Sequence, residues 1–220
     1  MQAINHVATA LILKRKFPPA PLFGLILATE VVEYLWVALN IFGIEQTLVS
    51  SPMKTVADVH LVHMPFSHSI ATSALFAIVT GLIVLWVGRA NAITMALALS
   101  LAIFSHVVLD LLVHAPDIAI LPFIDGKKFG TGLYSNWPLL ALGIETLWGV
   151  MCWRVYRGSW PLLGLILGFA VVSLPAYSVT IDAGESVLAG NESAFALLIL
   201  AQMLGTTALV WLFARRTSNV

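Results

Sequence analysis

From residue 21 to residue 214 the chain alternates long apolar stretches with short breaks carrying Pro, Gly, Asn or charge. About 20 apolar residues are needed for a helix to cross a ~30 Å hydrocarbon core. Six stretches meet that length, roughly 21–43, 66–88, 91–115, 137–156, 160–179 and 194–214. They predict an all-α polytopic membrane protein with about six transmembrane helices in a single integral domain over residues 1–220. The apolar segment at 3–13 reaches only about half a bilayer at ~1.5 Å per residue. It either lies at the interface, with His6 solvated, or enters as a half-helix antiparallel to the first span. A turn near Pro18 would then bring His6 beside Glu30.

Composition agrees with that pattern: hydrophobic types make up 60% of the 220 residues, charged types 10%, and the mean hydropathy is +0.95. The net charge is zero, so no basic surface recommends a nucleic acid. One cysteine, Cys152, can make neither an internal disulfide nor a thiolate metal cluster. The opening residues place apolar before basic, the reverse of a secretory signal, and read as mature protein. Six spans put Lys14, Arg15, Lys16, Arg89, Arg154, Arg157, Arg215 and Arg216 on one side. Loops rich in Lys and Arg stay in the cytoplasm, so both termini are expected there. Glu45, Asp58, Asp117, Asp125, Asp182, Glu185 and Glu192 fall on the other side.

The polar positions inside the spans carry the chemistry. Four acids cannot be assigned to loops: Glu30, Glu33, Asp110 and Glu145. In FSHVVLDLLVHAPD, residues 104–117, His106, Asp110 and His114 recur every four residues and so stack on one helix face. Depth along the span separates them, with His106 and Asp110 level with polar groups of other spans and His114 at the outer mouth. Ionisable side chains at membrane depth are costly and mark functional sites. A carboxylate and an imidazole four residues apart can reach one ion, and catalytic zinc takes three protein ligands with a position open to water. The candidate ligands are His6, Glu30, His68, His106 and Asp110, with Glu33 or Glu145 as the base. The plainer alternative is that these groups hydrogen-bond across helices and hold the bundle together.

Lesser features are also legible. His60 and His63 lie in the outer loop with Asp58, as a solvated lid or a weaker metal pair. Gly164 and Gly168 form a GxxxG that predicts close helix packing. Most of the tryptophans fall near span ends, as interfacial anchors do. Asp125, Lys127 and Lys128 occupy a Gly-rich outer turn over the cavity mouth, with anion binding a minor option, and Asn191-Glu192-Ser193 matches a glycosylation acceptor.

MPFSHSI, SHVVLDLLVHAPD and the Gly-rich turn leading into YSNWP together resemble a family of bacterial inner-membrane proteins described as membrane-bound metal-dependent hydrolases. That family carries an early His, a Leu-Pro-Asp-x-Asp segment, a Thr-His-Ser or Ser-His-Ser segment and a Ser-His-x-x-x-Asp segment. The resemblance covers residues 1 to about 145 and implies a site built from His6, His68, His106 and Asp110. ATEVVEYLW stands where the family has paired aspartates, so Glu30, with Glu33, would replace them at longer reach. It also implies the bacterial inner (cytoplasmic) membrane as the location.

Three functions follow as expectations. The first is a zinc-type hydrolase with its site open to the non-cytoplasmic side, acting on a lipid-linked or amphiphilic substrate among membrane lipids. The second is a non-catalytic subunit or transporter using the same residues as a proton or ion path. The third is b-type haem carriage by paired histidines such as His68 and His106. Neither a Gly-x-Ser-x-Gly nucleophile motif nor a P-loop is present.

Overall fold

The structure is a computed structural model that describes residues 1–50, 54–88, 90–124, 126–178 and 191–215. Arg89, Asp125, Asp182, Glu185 and Arg216, used above in the charge pattern, lie outside the described residues. The helices are α1 (Ala3–Lys16), α2 (Leu22–Ile41), α3 (Ile70–Val87), α4 (Ala92–Leu111), α5 (Leu133–Asn136), α6 (Pro138–Tyr156), α7 (Trp160–Ser173) and α8 (Glu192–Arg215). A 3-10 turn at Leu174–Tyr177 extends α7. Six of these helices are long and apolar enough to cross a membrane, and the fold is that of an all-α polytopic membrane protein.

The breaks read from composition are the helix ends. Ser69 caps α3 by accepting from the Thr72 N–H at 3.2 Å, and Gly88 ends that helix at φ +65°. Pro138 and Pro161 sit in the first turns of α6 and α7, where a missing N–H costs nothing. At the basic end, Lys14 donates to the carbonyls of Pro18 and Ala20 at 2.6 and 2.9 Å, closing the α1–α2 hairpin. The Tyr156 hydroxyl donates to the Ala214 carbonyl at 3.2 Å, so α6 and α8 finish at one end of the bundle.

Of the two placements for the first segment, the structure has the half-helix. Ile4 through Leu11 are all buried, packed against α2, α4, α6 and α8. Its apolar residues Val7, Ala8 and Leu11 join Leu25 and Ile26 of α2 in the main core. A helix starting inside a bilayer exposes N–H groups that no water satisfies. Here the Glu145 carboxylate accepts from the Gln2 N–H at 3.2 Å and from Asn5 Nδ2 at 3.2 Å, capping α1 from α6. Close approach is possible because Gly149 faces α1; a Cβ there would meet Asn5 Oδ1 at 2.9 Å and Ile166 Cγ2 at 2.7 Å. The Gly164 and Gly168 pair does not behave this way, since a Cβ on either would meet nothing within 4 Å.

The end opposite the basic turn carries more regular structure than expected. β1 (Gln46–Val49) pairs antiparallel with β2 (Val59–His63), and β3 (Ile118–Ala119) with β4 (Lys128–Phe129). Asp58, which falls between the first two strands, accepts from the Lys54 and Thr55 N–H groups in a capping box. The β3–β4 ribbon folds under the end of α4 through Gly130, whose φ of +152° and contact with the Ala115 carbonyl leave no room for a Cβ. Gly132 N–H then donates to the His114 carbonyl at 2.7 Å, fixing the chain just beyond α4.

Candidate metal centre

Three helices and one loop bring ionisable side chains to a cavity of about 340 Å³ in the half of the bundle nearer the β-ribbons. α1 brings His6, α2 brings Glu30 and Glu33, α4 brings Asp110, and His68 enters just ahead of α3. His106, one turn before Asp110, is fully buried behind them. Among the described residues two groups of side chains are close enough to hold a metal ion: His6, His106 and Asp110, and Glu33, His68 and His106.

His106 and His68 are each oriented by a partner on the far nitrogen, whereas His6 Nδ1 is buried without one. His106 Nδ1 lies 2.8 Å from the Thr29 carbonyl, which can only accept, so Nδ1 carries the proton and Nε2 presents a lone pair in the neutral ring. His68 Nδ1 lies 2.8 Å from Ser67 Oγ. The Ser67 hydroxyl donates its one hydrogen to Glu45, so it accepts from His68 and again leaves Nε2 facing the cavity. Glu45 is locked by the Phe66 and Ser67 N–H groups at 2.8 and 2.9 Å. Metal-binding histidines are held in this manner, with the second nitrogen donating to a carbonyl or a carboxylate-backed group.

The Nε2 atoms point at carboxylate oxygens. Glu33 Oε2 is 3.3 Å from both His68 Nε2 and His106 Nε2. Asp110 Oδ2 is 3.2 Å from His106 Nε2 and 3.8 Å from His68 Nε2. Ligands bonded tetrahedrally at ~2.0–2.1 Å stand ~3.3 Å apart, which the Glu33–His68, Glu33–His106 and Asp110–His106 separations match and the wider Asp110–His68 separation does not. His106 Nε2 and Asp110 Oδ2 are buried without a hydrogen-bond partner despite their 3.2 Å approach. That pair is satisfied by a proton on the imidazole or by a metal ion held between the two. The donor set, two imidazoles and two carboxylates, fits a zinc-type ion.

The other Asp110 oxygen has its own surroundings. Oδ1 lies 3.2 Å from His6 Nε2, 3.8 Å from His114 Nε2, and accepts from the Met1 amino group. The His6 and His106 rings stack with centroids 3.9 Å apart and planes at 12°. His114, read from sequence as a mouth residue, thus belongs to the cavity wall, tilted against Tyr134 at 5.3 Å. Burial holds its imidazole down to about 3, so it is neutral at physiological pH.

The sequence-derived candidates divide. His6, His68, His106 and Asp110 come together. Glu33, expected as a base, places one oxygen 3.3 Å from both His68 and His106. Glu30, expected as a ligand, lines the cavity fully buried, with both oxygens unpartnered and within electrostatic reach of His106. Glu145 stands apart. It accepts from Tyr134, Asn5 and the Gln2 N–H, with Tyr177 at 3.5 Å, and does not line the cavity. His60 and His63 join no such group among the described residues. A haem plane between His68 and His106 would have to displace the Glu33 oxygen that both rings face at 3.3 Å. Glu45 and Ser67 escaped the sequence reading. Glu45 lies beyond the first span and acquires its role only when the chain folds back through the β1–β2 hairpin.

Compared with protein-family models, curated proteins and solved structures, the chain matches none.

Proposed function

We propose that the chain is a divalent-metal-dependent hydrolase of the bacterial inner membrane, its cavity open to the non-cytoplasmic side, acting on a lipid-linked or otherwise amphiphilic substrate. The observation that carries the reading is the gathering of Glu33, His68 and His106, and of His6, His106 and Asp110, close enough to hold a metal ion beside the cavity. Glu33, His68 and His106 would hold a divalent ion, which when bound would supply Lewis-acid polarisation of an ester or phosphoryl oxygen and an acidified water. Thr29 and Ser67 keep the two Nε2 lone pairs aimed at it, and the two carboxylates balance its charge. Glu30, whose oxygens are committed to no partner, is the group assigned to take the proton from the attacking water. The motif resemblance supports the same reaction class.

The substrate class follows from the rest of the wall. Opposite the imidazoles the cavity is lined by Trp36, Ala176, Phe195, Leu198 and Ile199. Leu198 is half exposed on a membrane-spanning helix, so the apolar wall continues to the lipid-facing surface. A headgroup at the ligands with its chains along α8 suits that shape. An ion path would need polar groups to continue towards the basic end. Instead Val7, Ala8, Leu11, Leu25 and Ile26 fill that half with 0% exposure.

The test is incubation of zinc-loaded, detergent-purified protein with lipid esters and lipid phosphodiesters in ¹⁸O-labelled water. Label in the product of one class, lost in Asp110→Asn and sharply reduced in Glu30→Gln, is the expected result. Unlabelled products throughout from metal-loaded protein would overturn the hydrolase reading.

A further inference from the structure

We infer that the cavity is a two-metal centre in which Asp110 bridges the ions, His68, His106 and Glu33 completing one position and His6 and His114 the other. The inference rests on the metal reading above and deepens it. Its basis is the stacking of His6 on His106. An imidazole gives its lone pair in the plane of its ring. With ring centroids 3.9 Å apart and planes at 12°, the two lone pairs run in nearly parallel planes. An ion shared at ~2.0–2.1 Å from both nitrogens would sit about 1.5–2 Å out of each ring plane, where neither lone pair reaches. The two rings therefore address two positions, side by side at about the stacking distance.

The carboxylate between them has matching geometry. Asp110 turns Oδ2 to His106 and His68 and Oδ1 to His6 and His114, at 3.2 and 3.8 Å in each case. Oδ1 also faces the Met1 amino group. A carboxylate divided evenly between two imidazole pairs is the bridging ligand of two-metal sites, whose ions stand ~3.5–4 Å apart. Such a pair would clamp the two oxygens of an in-line displacement at phosphorus, so the lipid phosphodiesters are the favoured substrates within the proposed class.

The experiment strips the full chain in detergent with chelator and titrates it with Mn²⁺. Bound ions are counted by mass spectrometry, and the spin state is read by electron paramagnetic resonance. About two ions per chain with an exchange-coupled spectrum are expected. His6→Ala should fall to about one ion with an uncoupled spectrum. A single uncoupled ion in the wild type overturns the two-metal inference while leaving the single centre standing, and no bound ion overturns both. Two coupled ions in His6→Ala overturn the assignment of His6. Should that variant not fold, the wild-type count and spectrum decide the matter alone.

Discussion

Asp110 and Glu145 are both carboxylates inside apolar helices, 2% and 0% exposed, and both reach α1. Around Glu145 every neighbour is a donor: the Tyr134 hydroxyl, Asn5 Nδ2, the Gln2 N–H and, more distantly, the Tyr177 hydroxyl. Around Asp110 Oδ2 the neighbours are imidazole nitrogens whose protons face the other way. The first carboxylate is satisfied by protein and caps a helix that begins inside the membrane. The second meets the Met1 amino group through Oδ1 and turns Oδ2 to two imidazoles that a metal ion could share. Burial alone therefore does not mark a functional acid in a bilayer; what its partners can donate does.

The sharpest way to break this comparison is to remove charge at equal shape on both sides. Asp110→Asn should lower metal affinity by more than about 100-fold, since second-sphere losses alone cost 10–100-fold. Glu145→Gln should keep the metal content of the wild type. Equal metal loss in both, measured by elemental analysis, would erase the distinction. A smaller effect is expected where orientation rather than ligation is removed. Ser67→Ala frees His68 Nδ1 and leaves the buried Glu45 short of one donor, so zinc affinity should fall about 10–100-fold. An unchanged zinc titration would show that His68 needs no such support.

On the Glu145 side the expected loss is in stability. Glu145→Ala strands the Tyr134 hydroxyl, Asn5 and the first turn of α1, at roughly 1–3 kcal/mol for each group left unpaired. Thermal unfolding in detergent should drop clearly more for this variant than for Glu145→Gln. Comparable midpoints for the two would contradict the capping role.

The smallest effect concerns Asp117, three residues beyond His114, whose carboxyl burial pushes up to about 6 although Leu61 N–H donates to it at 3.3 Å. Because the folded pKa exceeds the unfolded one, its contribution is most favourable below about pH 4 and is lost as pH rises to about 6. Asp117→Asn should accordingly be more stable than the wild type above pH 6, by on the order of 2 kcal/mol. The difference should vanish near pH 4. A pH-independent difference in unfolding midpoint would rule out titration of Asp117 as its source.

Much of this was readable before any coordinates. The bilayer fixes span length, so six apolar stretches and their Pro and Gly breaks located the helices. Helical spacing singled out His106 and Asp110, and the length of the first hairpin placed His6 at their depth. Three things were hidden for definite reasons. Glu30 and Glu33 are three residues apart on one face, and only the rotation of α2 against α4 decides which meets the imidazoles. Glu145 has the same sequence signature as a catalytic acid, yet its donors come from α1, α5 and the end of α7, far apart in the chain. The β1–β2 hairpin has no clean apolar–polar alternation in VHLVH, so neither the strand nor the support that Glu45 gives Ser67 and His68 is marked locally.

The most direct measurement is the zinc absorption edge of purified, zinc-loaded protein, read for the number and length of its nitrogen and oxygen bonds. The account predicts four-coordinate zinc with imidazole scattering and bonds of ~2.0–2.1 Å, replaced in His106→Ala by the spectrum of free aqueous ion. Zinc that remains fully hydrated in the wild type would contradict it.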